Sequence, residues 1–165
     1  SGTVQADDPA LDVRHVDTPR QPLRVVVDSR FSTPAGAQVL TRQGTTLVAT
    51  ANQDYEYTDR AGDNVDVVYL PGDDGRVNLA GLMSDLAQRE VNELLVEAGP
   101  TLSGAMLGAD LVDEVLLYMA PRFLGSEARG MFDLPWIERL SDCAAKEVRD
   151  VRQFGTDFRF TVSAR

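Results

Sequence analysis

Cysteine and histidine occur once each in the 165 residues, at Cys143 and His15. A single cysteine excludes an internal disulfide and any zinc site built from cysteines, and it fits a reducing compartment. A single histidine excludes multi-imidazole metal clusters and relays between histidines, and His15 is not obviously placed near a hydroxyl. No apolar run approaches the ~18 residues of a membrane span, and no signal peptide is evident. Basic residues are outnumbered, 16 against 26 acidic, for a net charge of −10. That balance disfavours nucleic acid and anionic membrane as partners, since both need a basic face. Anionic small ligands stay open, held by local basic residues and helix ends. A glycine-flanked serine elbow and an evident nucleophile–base pair are also missing, which favours chemistry carried by a cofactor.

What is present is the composition of a globular, cytoplasmic domain. Hydrophobic residues make up 43% and charged residues 25%, in a length suited to one domain. The first 21 residues are polar and read as irregular. Leu23–Val27 is an apolar run broken only by Arg24 and reads as a core strand. Thr45–Thr50 and Val65–Leu70 read as two further strands, with a polar excursion over residues 52–64 that carries Tyr55 and Tyr57. Asn78 looks like a helix N-cap, and Leu79, Leu82, Met83 and Leu86 follow at helical spacing to about Glu90. Glu93–Val96 reads as a buried strand, residues after Pro100 as a second helix, and Val112–Ala120 as another strand. Lys146–Phe154 and Asp157–Val162 alternate around Gly155-Thr156, the pattern of an antiparallel hairpin. This order predicts an α/β core with parallel pairs. Ligands of such sheets sit beyond the carboxyl ends of strands, so Ser29, Thr50 and Gly99 are candidates to line one crevice.

The stretch Val96–Gly108 is the most informative. Glycine at 99 permits close approach to the backbone, and Pro100 suits a first helical turn. Thr101 and Ser103 add hydroxyls. A strand that ends in glycine and opens into a helix aims free N–H groups and a positive dipole end at one point. The pattern fits a cradle for nucleotide phosphates, and equally an ordinary tight turn. Glu97, at the end of an apolar strand, is either a ligand-binding acid or a structural one with a partner. Asp7 and Asp8 are adjacent carboxylates that suit either chemistry or turn formation. Arg14 could take a phosphate bidentately or lie on the surface. Asp28-Ser29-Arg30 could receive a phosphate or cap a strand. Asp113-Glu114 opens a strand in solvent, and Cys143 and Trp136 read as packing residues.

Five ordered segments carry a resemblance. They are Thr3-Val4-x-Ala6-Asp7-Asp8-Pro9-x-Leu11-x-Val13-Arg14, Gln21–Ser29, Val96–Leu102, Leu111–Glu114 and Ala120-Pro121-Arg122-Phe123-Leu124-Gly125. Together they span nearly the whole chain, which resembles the reductase domain of the bifunctional riboflavin-biosynthesis deaminase/reductase. The resemblance implies a dihydrofolate-reductase-like α/β fold with a mostly parallel central sheet, flanking helices and a C-terminal antiparallel hairpin. It implies NADPH-dependent reduction of 5-amino-6-(5-phosphoribosylamino)uracil to the ribitylamino compound, with hydride delivered to ribose C1′. Gly99, Pro100, Thr101, Leu102, Ser103, Gly104 and Ala105 would then hold the cofactor pyrophosphate, with Thr3, Asp7 and Ser29 as further cofactor contacts. Leu11, Arg14 and Glu97 would contact the substrate, Arg14 through its phosphate, and Asp7 is the candidate catalytic group. A homodimer is expected from the resemblance as well.

Two departures from the family pattern bear on the expectation. The zinc deaminase ligands are absent from these 165 residues, so no deaminase chemistry and no metal are expected here; a deaminase domain would lie elsewhere on a parent chain. The family's reductase domain also begins before the Thr3 motif with a strand, a substrate loop and a helix, so the chain is expected to be a single reductase domain lacking its first strand and helix. The competing readings are a reductase of another pterin-like or pyrimidine-like substrate, and a non-catalytic nucleotide-binding or assembly module.

Overall fold

The computed structural model describes residues 2–54, 63–143 and 145–164. The chain divides into two compact units, Ser1–Leu94 and Leu95–Arg165.

The first unit is built on three parallel strands, β1 (Arg24–Val27), β2 (Thr46–Thr50) and β3 (Val65–Tyr69), in the order β1-β2-β3. β2 is buried along its whole length, as a central parallel strand covered on both faces must be. Alternate residues feed two cores. Val26, Val48 and Val65 meet Val4, Ala37, Val39 and Leu40 on one face. Leu47 and Ala49 meet Val77, Leu82 and Leu86 on the other. The second core is covered by α3 (Leu79–Gln88), whose N-cap Asn78 accepts from the Gly81 N–H at 2.9 Å. The expected strands and helix over these segments are therefore present, each within a residue or two at its ends.

Two short helices were not expected. The polar N-terminal stretch contains α1 (Gly2–Asp7), and α2 (Gln38–Thr41) precedes β2. Each is too short to show a helical period. α1 buries only Val4, while α2 buries Val39 and Leu40. The polar excursion over residues 52–64 lies mostly outside the described residues.

The second unit contains α4 (Pro100–Gly108), β4 (Glu114–Met119), β5 (Val148–Phe154) and β6 (Asp157–Ser163). Its sheet is antiparallel, in the order β4-β6-β5. Gly155 makes the hairpin turn at φ +62°, a conformation natural to glycine. The hairpin is thus found as expected, and β4 pairs with it rather than with a parallel neighbour. Glu114 opens β4 in solvent, as expected. Gly104 and Gly108 let the segment around Asp133–Trp136 lie directly against α4. A methyl at Gly104 would overlap the Asp133 backbone, and one at Gly108 would press into the Trp136 ring at 2.5 Å.

Two expectations fail in this half of the sequence. Glu93–Val96 is not a strand: it has no regular secondary structure, and Leu95 is 71% exposed. An apolar run supplies the tendency to be buried, but a strand also needs a backbone partner, and none is found among the described residues. Cys143 is exposed rather than packed.

Candidate functional site

In the first unit, α1 is fastened to the loop that leaves β1. The Gln5 amide donates to both the backbone oxygen and the hydroxyl of Ser32. Ser32 donates in turn to Asp28 at 3.2 Å, and Thr33 gives Asp28 its backbone N–H at 2.6 Å and its hydroxyl at 2.7 Å. Asp28 is 1% exposed. Burial pushes its carboxyl up, but the bonds from Thr33 and Ser32 outweigh this and hold it below the ordinary carboxylate value. Asp28 is therefore the organiser of the loop, and the cap reading of Asp28-Ser29-Arg30 holds for its first residue. Ser29 is half-buried. Its hydroxyl accepts from the Val77 N–H at 3.1 Å and keeps its own proton for another acceptor.

The paired carboxylates separate into two environments. Asp8 accepts from the Gln38 backbone N–H at 2.8 Å, and its carbonyl accepts from the Gln38 amide at 2.8 Å. It therefore ties α1 to the start of α2. Asp7, the last residue of α1, is exposed and has no partner among the described residues. Thr3 sits half-buried on the same helix.

Residues 8–15 are backbone-strained. Asp8, Leu11 and His15 adopt positive φ of 42°, 48° and 66°, unusual for residues with a Cβ and often found where a site fixes the chain. Leu11 packs against the first core. Arg14 is exposed, with its Nε 3.2 Å from Asp12.

In the second unit, α4 begins as the sequence suggests. Gly99 is the N-cap with no side-chain cap hydrogen bond, and Pro100 opens the first turn. The Ser103 N–H bonds back to the Gly99 carbonyl at 3.1 Å, while the N–H groups of Thr101 and Leu102 have no partner among the described residues. Two such donors at the positive end of a helix dipole are suited to an anion. The Ser103 hydroxyl is occupied by the Ala98 carbonyl at 3.3 Å. Gly104 is buried against Asp133, as described above, and Ala105 is half-buried. Glu97 is exposed with no partner among the described residues; its expected burial depended on a strand that is not formed.

Thr3, Asp7, Leu11, Arg14 and Ser29 thus share the first unit, and Glu97 and Gly99–Ala105 the second. Among the described residues there is no group of three or more potential metal-ligating side chains, and no helix is long and apolar enough to cross a membrane. Sequence reasoning missed the structural work of Asp8 and the buried bonds of Arg24 to the carbonyls of Arg42 and Gly44. The only signal for the latter was a lone arginine inside an apolar run.

Residues 1–160 match the family described as the RibD C-terminal domain. The chain belongs to that family. The RibD C-terminal domain fold also accounts for the structural likeness: RibD of Acinetobacter baumannii superposes with a TM-score of 0.84 at 31% identity, over 98% of this chain and 44% of that one. The riboflavin biosynthesis protein RibD of Escherichia coli is 37% identical over 169 residues, covering 95% of this chain and 45% of its own. The chain therefore spans about half the length of these RibD relatives. A Buchnera aphidicola protein named 5-amino-6-(5-phosphoribosylamino)uracil reductase is 26% identical over 99% of this chain and 83% of its own length. The fold class and family expected from the five segments are those found.

Proposed function

We propose that this RibD C-terminal domain reduces 5-amino-6-(5-phosphoribosylamino)uracil to 5-amino-6-(5-phosphoribitylamino)uracil with NADPH, in the cytoplasm. The relative named for that reductase matches along nearly the whole chain, and the observation that carries the cofactor reading is the uncapped N-terminus of α4. Gly99 leaves its end open, and Thr101 and Leu102 present two N–H groups without a partner among the described residues. A dinucleotide pyrophosphate matches that donor set. Gly99, Pro100, Thr101, Leu102 and Ser103 would hold it through the backbone of the first turn. Gly104 would keep α4 seated against its support, and Ala105 continues the same helix. Thr3 and Ser29 would add hydroxyl contacts, Ser29 with Arg30 near a 2′-phosphate.

Bound NADPH would supply the hydride for ribose C1′. The chain's own residues bind and orient the sugar and handle the accompanying proton. Leu11 shapes the pocket from its left-handed position, Arg14 takes the 5′-phosphate as a charge-assisted pair, and Glu97 bonds the substrate's polar edge. Asp7 is the proton-handling group, free of the structural bonds that occupy Asp8. An Asp7→Asn protein should lose roughly 100-fold or more in turnover, with NADPH affinity retained; full turnover would remove Asp7 from this role. The domain acts as a homodimer; if the chain is a fragment, a deaminase domain lies on the same parent chain.

The cofactor reading is tested by titrating NADPH and NADH separately and following nucleotide fluorescence. Tighter binding of NADPH, weakened by Ser29→Ala, is expected. Equal binding of both nucleotides would remove the 2′-phosphate assignment. Binding of neither in the full-length protein would reject the reductase in favour of a non-catalytic module.

A further inference from the structure

α1 carries two of the proposed site residues, Thr3 and Asp7, on only six residues. A helix of that length does not hold itself in water, so its place depends on what grips it. One grip is the Gln5 amide, which donates to the Ser32 carbonyl at 3.3 Å and to the Ser32 hydroxyl at 3.2 Å. The other lies where α1 ends. There the Asp8 N–H closes the last turn on the Val4 carbonyl at 3.1 Å, and Asp8 stands at φ +42° directly before Pro9. That conformation is uncommon for a residue with a Cβ and persists where its surroundings enforce it. Gln38 enforces it from two sides. Its backbone N–H donates to the Asp8 carboxylate at 2.8 Å, and its side-chain amide donates to the Asp8 carbonyl at 2.8 Å. Arg42 orients that amide: its Nε and Nη2 donate to the Gln38 Oε1 at 3.2 Å and 2.7 Å. With its oxygen held by Arg42, the amide presents its N–H edge to Asp8. Gln38 opens α2, whose Val39 and Leu40 are buried in the first core.

We infer that Gln38 is a positioning residue for Asp7: oriented by Arg42 and rooted in the first core through α2, it latches Asp8 and thereby holds the neighbouring Asp7 carboxylate in place. The inference rests on the proposed proton-handling role of Asp7. The latch acts on Asp7 through a single planar peptide unit, which transmits a shift of one residue to the next. Asp8 spends both its carboxylate and its carbonyl on the latch, while Asp7 has no partner among the described residues. A displacement of about 1 Å costs a proton-transferring group much more than it costs a binding contact. The Gln5 grip remains when Gln38 is changed, and with it the seat of Thr3. Loss of the latch is therefore felt in turnover before it is felt in cofactor affinity.

The test measures kcat, NADPH affinity and thermal midpoint in the full-length protein. The variants are Gln38→Met, Gln38→Glu, Asp7→Asn and the double substitution of Gln38→Met with Asp7→Asn. Methionine keeps the length of glutamine without its polar atoms. Glutamate keeps the pairing with Arg42 but has no N–H for the Asp8 carbonyl. Each single change at Gln38 is expected to lower kcat roughly 3- to 10-fold, the size of one lost hydrogen bond, with NADPH affinity unchanged. In the Asp7→Asn background, Gln38→Met is expected to lower kcat no further. A merely structural role would act alike in both backgrounds, so equal factors would overturn the inference. Parental kcat in Gln38→Glu would overturn it as well, and that variant decides the matter if Gln38→Met does not fold. Full turnover in Asp7→Asn would reject the proton-handling role and the latch with it. A large Asp7→Asn loss beside parental kcat in the Gln38 variants would overturn the latch alone.

Discussion

Asp28 carries a stability that depends on acid. Its folded-state carboxyl lies below the ordinary value because bonds from Thr33 and Ser32 overcome the cost of burial. Its contribution is complete above the unfolded-state pKa and is lost as pH falls through the lower folded-state pKa. Asp28→Asn should remove about 1–3 kcal/mol at neutral pH and flatten the acid limb of thermal midpoint against pH. A variant with the acid limb of the parent would show that the loop is organised by other groups. At the same scale, the bonds of buried Arg24 to the carbonyls of Arg42 and Gly44 could not be read from the sequence. They form through tertiary packing across residues of no regular period, and a lone arginine in an apolar run states the need for a partner without naming it. The structural task of Asp8 was likewise hidden, because only the fold brings Gln38 to it.

At the scale of elements, α3 and α4 are supported in different ways. α3 has a polar cap in Asn78 and an apolar stripe over the second core. Asn78→Ala should cost about 1 kcal/mol, read as a lower urea midpoint at an unchanged slope. α4 has no such cap and is seated by glycine. Gly104→Ala should cost about 1–3 kcal/mol through overpacking against the Asp133 backbone and should weaken NADPH binding with it. A neutral Gly104→Ala would contradict that packing. β1 was legible as an apolar run, α3 from its helical spacing and the terminal hairpin from regular alternation, because each pattern reports directly on burial. α1 and α2 were not, since six and four residues give no period. Glu93–Val96 was misread because hydrophobicity is local whereas strand pairing is not, and the expected burial of Glu97 failed with it. The opening of α4 was legible because glycine followed by proline constrains the backbone whatever surrounds it.

At the scale of the whole molecule, the anion recognition proposed for this acidic chain rests on a few local features: the N–H groups at the start of α4 and the exposed guanidinium of Arg14. Binding of either ligand alone does not establish the reaction. The most direct measurement is product analysis after incubating the full-length protein with NADPH and 5-amino-6-(5-phosphoribosylamino)uracil. The account predicts NADPH oxidation that requires this substrate, one product heavier by two hydrogens, and deuterium at ribitol C1′ when the cofactor is deuterated at its transferable position. Substrate recovered unchanged from a folded, NADPH-binding protein, or deuterium in the pyrimidine ring instead of C1′, would contradict it.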